Sequence, residues 1–114
     1  MAVIVATQKG RELWNAIVEG IDDGSIRTWA FDNSRKYLTH IGSGDQWKNR
    51  AFMKPSLSTD RLIFNIIMPR NENVTTEVYA IYHGRLIEMI LAHFDKLFSS
   101  AQATAFPTTE DLIN

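Results

Sequence analysis

A chain of 114 residues with 45% hydrophobic and 22% charged side chains has the size and composition of one globular domain, which excludes disorder along its whole length. It has no cysteine, so disulfides, thiolate metal sites and thiol nucleophiles are excluded together. A formal net charge of −1 excludes a global electrostatic attraction to polyanions.

Residues 2–6 are apolar but lack the basic flank and the length of a secretion signal. No stretch approaches the ~18 apolar residues of a membrane span, so the chain is expected to be soluble and cytoplasmic, with no membrane partner. The run itself reads as an edge strand or an arm. Over residues 8–22 the period is helical: Leu13, Trp14, Ile17, Val18 and Ile21 share one stripe. Thr7 stands where a helix cap belongs, and Gly24 where a terminator belongs.

The period then changes to two. Residues 25–31 (SIRTWAF) and 36–41 (KYLTHI) flank the turn residues Asp32, Asn33, Ser34 and Arg35, which predicts a β-hairpin. Residues 42–45 form a loop. Residues 46–54 fit either a short helix capped by Asp45 or a strand over 50–54, and the strand is preferred. Residues 61–68 (RLIFNIIM) are apolar on both faces apart from Asn65, the pattern of a central strand.

After a loop at 69–73, a long helix is predicted over 76–99, capped by Thr75 or Thr76, with Glu77 in its first turn. Ile81, Ile87 and Leu91 widen its apolar stripe, so it needs partners on two sides. The sheet, the first helix and a second copy of the chain are the candidates. Gly84 inside this helix costs roughly 1 kcal/mol relative to alanine. Close approach of a neighbour, or a break, would account for it, and Gly84→Val is then expected to destabilise the fold strongly. Pro55, Pro69 and Pro107 are expected at element ends. Residues 106–114 read as a loosely ordered tail, held by Phe106, Leu112 and Ile113. The order of elements implies one α+β domain over residues 1–114. It has an antiparallel sheet of about four strands, with an N-terminal helix and a long C-terminal helix packed mainly on one face.

Two groups of residues are candidate sites. The first is a polar cluster on the long helix, Tyr79, Tyr82, His83 and Arg85, joined by His40 and Asn65 from strands. Histidine near neutral pH is the usual general base. Glu88, however, lies about 140° round the helix from His83, and His93 about 15 Å along it, so neither pairs with it. The cluster therefore serves a ligand only with groups from the sheet, and otherwise it hydrogen-bonds within the core.

The second group is a basic and aromatic surface: Arg27, Trp29, Arg35, Lys36, Trp47, Lys48 and Arg50. Residues 25–61 hold seven basic and three acidic residues, a net +4, against −5 from five basic and ten acidic residues elsewhere. Basic residues interleaved with aromatics suit single-stranded nucleic acid or an acidic protein surface. Strand alternation gives the opposing reading, with the aromatics in the core and the charges in solvent.

No dinucleotide fingerprint, phosphate loop or nucleophile elbow occurs, no metal-ligand spacing is present, and no cofactor is implied. The expectation is a non-enzymatic binding module, homodimeric, acting through a protein or single-stranded nucleic-acid partner. The alternative is a small enzyme or ligand-binding domain with a pocket between the last helix and the sheet near His83.

Overall fold

Six strands and two helices are built from the described residues, 2–42, 47–69 and 74–106 of a computed structural model. In chain order they are β1 (Ala2–Ala6), α1 (Gly10–Asp22), β2 (Trp29–Asp32), β3 (Tyr37–His40), β4 (Phe52–Leu57), β5 (Arg61–Ile67), α2 (Thr76–Phe94) and β6 (Ser100–Ala103). The strands form one sheet in the order β2-β3-β4-β5-β1-β6, with every ladder antiparallel.

The α+β class, the antiparallel sheet and the two helices agree with the sequence pattern, but the sheet has six strands rather than about four. One extra strand is β1. It is neither an edge nor an arm, because it lies between β5 and β6 with Val3 opposite Phe64 and Val5 opposite Leu62. Its valines are fully buried, which is what a β-branched run does best on a covered pleat. The other is β6, Ser-Ala-Gln-Ala, which carries no strand pattern and exists through its pairing with β1. The long helix is therefore followed by a strand, and it ends at Phe94 rather than near 99. Backbone bonds from Ser99 N–H to Ala6 and from Thr104 N–H to Ala2 bracket the new ladder.

Local chemistry sets the remaining boundaries. Asp32 Oδ1 accepts from the Ser34 and Arg35 amides at 3.0 and 3.2 Å, closing the β2–β3 turn, and Lys36 follows at φ 66°. α1 starts at Gly10 rather than Gln8 and has no side-chain cap. Thr7 is buried instead: its hydroxyl accepts from the Lys9 amide and donates to the Leu97 carbonyl. Gly24 ends the α1 region at φ 85°, a conformation glycine takes without a side-chain clash. Thr75 caps α2, accepting from the Val78 amide at 3.2 Å.

Pro55 falls inside β4, against expectation. The Ser58 N–H to Arg61 C=O bond fixes the phase of the β4–β5 ladder, so Pro55 turns its nitrogen away from β5. On that side β3 pairs with β4 only at Leu38 opposite Met53, so no ladder bond is lost.

Both helices cover one face of the sheet. Trp14 of α1 meets Phe31 of β2 at 5.9 Å and Phe64 of β5 at 6.1 Å between ring centroids. These strands stand three places apart in the sheet, so the indole of Trp14 bridges them from above. Tyr82 of α2 meets Trp29 and His40 on the same face at 5.7 and 5.9 Å. Leu13, Ile17, Leu38, Met53, Leu62, Ile66, Leu86 and Ile90 complete this core. α2 presents one apolar side, not two: Val78, Tyr82, His83, Leu86, Met89 and Ile90 are buried, whereas Leu91 is 54% exposed.

Gly84 lies on the outer side of an unbroken α2, and a Cβ there would meet nothing within 4 Å. The expected close approach and the expected break are both overturned. Phe106 is 81% exposed and does not join the core. The expectations for Pro107, Leu112 and Ile113, and for the loops at 43–46 and 70–73, lie outside the described residues. No described helix is long and apolar enough to cross a membrane.

Candidate interaction groove between the first helix and the sheet edge

β2 is an edge strand, and its phase follows from one bond. Ile41 N–H donates to the Thr28 carbonyl at 2.8 Å, just outside the ladder in which Trp29 faces His40. Antiparallel alternation then turns the amides and carbonyls of Trp29 and Phe31 away from β3. The two positions differ in access. Trp29 is 1% exposed, whereas Phe31 is half-buried at the open edge.

Beside this edge a cleft of about 570 Å³ runs under the C-terminal half of α1, walled by Val18, Ile21, Ile26, Trp29 and Phe31, with Asp22 and Arg27 at its mouth. A second cleft of about 460 Å³ shares Val18, Phe31 and Asn33 with it and extends to Trp14 and Lys36. Together they make one groove along α1. The helical stripe that buries Leu13 and Ile17 leaves Trp14, Val18 and Ile21 half-covered, because β2 ends the sheet there.

The groove is electrostatically uneven. Glu19, Asp22 and Asp23 surround a smaller recess of about 270 Å³ that meets the main cleft at Asp22. Hydrogen bonds from the Ser25 hydroxyl and amide hold the Asp23 carboxyl below the usual carboxylate range. Lys36 stands at the other end, its ammonium 5.8 Å from the Phe31 ring centroid.

The six residues predicted for a ligand pocket are divided among four places. Tyr79 and His83 touch along α2, with ring centroids 5.4 Å apart. His83 Nδ1 donates to the Tyr79 carbonyl at 2.7 Å, and the residue is 3% exposed. Tyr82 and His40 meet in the core, where the Tyr82 hydroxyl accepts from the Arg50 amide at 2.9 Å and donates to the Trp47 carbonyl at 2.7 Å. Arg85 pairs with Glu88 at 3.1 Å on the outer side of α2. Asn65 is buried on the opposite face of the sheet, because its neighbours Phe64 and Ile66 face the helices. Neither the groove clefts, nor the acidic recess, nor the shallow cleft beside Gly84 is lined by Tyr79, Tyr82 or His83. Burial, followed by the positive charge of Arg85, lowers the His40 pKa, and Glu88 opposes the shift.

The predicted basic and aromatic surface divides as well. Trp29 is a core residue, so its ring offers no face for stacking. Arg35 lies 4.9 Å over the Phe52 ring and 3.9 Å from the Asp32 carboxylate. Trp47 is half-buried, with exposed Lys48 and Arg50 close behind it in the segment that the Tyr82 hydroxyl anchors. Only Arg27, Trp29 and Lys36 reach the groove. Of the residues that make it apolar, Val18 and Ile21 read in the sequence only as part of the helical stripe, and Ile26 and Phe31 only as members of the hairpin strands.

Among the described residues no group of three or more histidines and carboxylates could hold a metal ion. The groove offers apolar contact, one outward backbone pair at Phe31 and a charge gradient. The chain matches no family model, no curated protein and no solved structure.

Proposed function

We propose that this protein is a non-enzymatic binding module whose groove between α1 and β2 takes an extended apolar segment of a protein partner. The observation that carries this reading is the junction of an apolar cleft with a sheet edge at Phe31. Extended segments bind such sites through main-chain bonds to the edge strand and through side chains set alternately into the cleft. Trp29 is enclosed, so the main-chain contribution is limited to Phe31, and Val18 and Ile21 supply most of the contact. Nucleic acid is disfavoured by the burial of Trp29. The reading with a pocket near His83 gains no support from a histidine sealed in the core.

The test is an NMR titration of the ¹⁵N-labelled protein with a short peptide alternating threonine and valine. Shifts confined to Val18, Ile21 and Phe31, absent in Val18→Asp, are expected. No shift at millimolar peptide overturns the reading. So does a short oligodeoxythymidine that perturbs these positions when the peptide does not. Light scattering tests the homodimer: a stable dimer that loses its stability in Val18→Asp makes a second copy the occupant in place of a separate partner.

A further inference from the structure

We infer that the segment bound in this groove is cationic at the end that lies over the C-terminus of α1, an inference that rests on the groove reading above. Glu19, Asp22 and Asp23 are three and four positions apart, so their carboxylates crowd one side of the last turn of α1. None of them is in an ion pair with a described residue. The last turn holds no basic side chain, so the negative end of the helix dipole adds to the same field.

Like charges at these spacings repel, and among the described residues only the Ser25 hydrogen bonds to Asp23 and the nearby Arg27, without an ion pair, offset them. Arg27 is the described cation nearest in sequence, and its Nε donates to the Gly24 carbonyl at 3.3 Å. The acidic recess opens into the apolar cleft at Asp22, so a lysine or arginine beside the apolar residues of a bound segment reaches it without leaving the groove. Lys36 at the opposite end gives the groove a direction, with a cation preferred over α1 and a neutral or acidic residue over the hairpin.

Three peptides on the same threonine–valine scaffold test this: one neutral, one with two lysines at one end, and one with two glutamates there. The lysine peptide is expected to bind about ten-fold more tightly than the glutamate peptide at low salt, with the difference largely screened near 1 M salt. Glu19→Lys with Asp22→Lys should reverse the order. Both sites are exposed, and circular dichroism checks that the variant folds. Equal affinities that ignore the charge reversal overturn the inference while the neutral peptide's shifts keep the groove reading intact. If no peptide binds, both fall.

Discussion

Trp29 and His40 face each other across the β2–β3 ladder, and their rings meet edge to face at 5.2 Å and 89°. Tyr82 closes the cluster from α2. The arrangement joins the wall of the groove to the middle of the core, because Trp29 belongs to both. It also leaves Trp29 Nε1 and His40 Nδ1 buried without hydrogen-bond partners. Each such atom costs about 1–3 kcal/mol relative to a satisfied one.

The first prediction follows from His40. Its pKa in the folded protein lies below the ordinary 6.5, chiefly through burial and next through Arg85. The folded state therefore binds fewer protons than the unfolded chain in that range, and stability rises with pH there. The contribution is fully present above about 6.5 and is lost as pH falls towards the lowered folded value. Urea melts at about pH 7.5 and pH 5 should show a loss of stability on acidification that is smaller in His40→Gln. Parallel losses in the two proteins would refute the assignment to His40.

The second prediction separates the charges around the same ring. Arg85 lowers the His40 pKa and Glu88 raises it. Arg85→Gln should therefore move the His40 titration upward, and Glu88→Gln should move it downward, as read by imidazole NMR. The Arg85–Glu88 pair is itself exposed, so both variants should keep their stability within about 1 kcal/mol. Shifts of the same sign in both would show that a rearrangement of α2, not charge, moves the pKa.

The third prediction concerns Gly84. With open space where its Cβ would stand, the glycine costs helix propensity and gains no contact. Gly84→Ala should stabilise the protein by about 0.5–1 kcal/mol, read as a higher denaturant midpoint at unchanged slope. A destabilised variant would restore the close-packing explanation that the sequence alone suggests.

Gly84 also shows where reading the sequence stops. Thr75, Gly24 and the Asp32 turn were legible because caps and turns are settled by residues close in sequence. The central position of β5 followed from its apolar residues on both faces. β6 was invisible because Ser-Ala-Gln-Ala becomes a strand only through bonds to β1 at the other end of the chain. Strand order decides which strand is an edge, so the same blindness hid the groove. Periodicity places Val18 and Ile21 on the stripe with Leu13 and Ile17 but does not say which end of that stripe the sheet fails to cover. The helical candidates met a different limit. Periodicity could show that Tyr79 and His83 are neighbours, but not that the fold would seal His83 in the core.

The fourth prediction uses the hydroxyl of Tyr82, which takes the Arg50 amide and gives its proton to the Trp47 carbonyl. Tyr82→Phe keeps the ring against Trp29 and His40 but leaves both backbone groups without that partner. The expected loss is about 0.5–1.5 kcal/mol of stability, the net worth of a hydrogen bond, because Trp47 is half-buried and Arg50 exposed, so water can take the place of the hydroxyl. A second bond holds the segment independently, because Asn49 N–H donates to the His40 carbonyl at 3.1 Å. Hydrogen exchange should therefore accelerate at the Arg50 amide well before it does at Asn49. If the two amides accelerate together, the hydroxyl holds the whole segment and the His40 bond adds nothing separate. If neither changes, the segment is held by Trp47 packing against the core rather than by the hydroxyl.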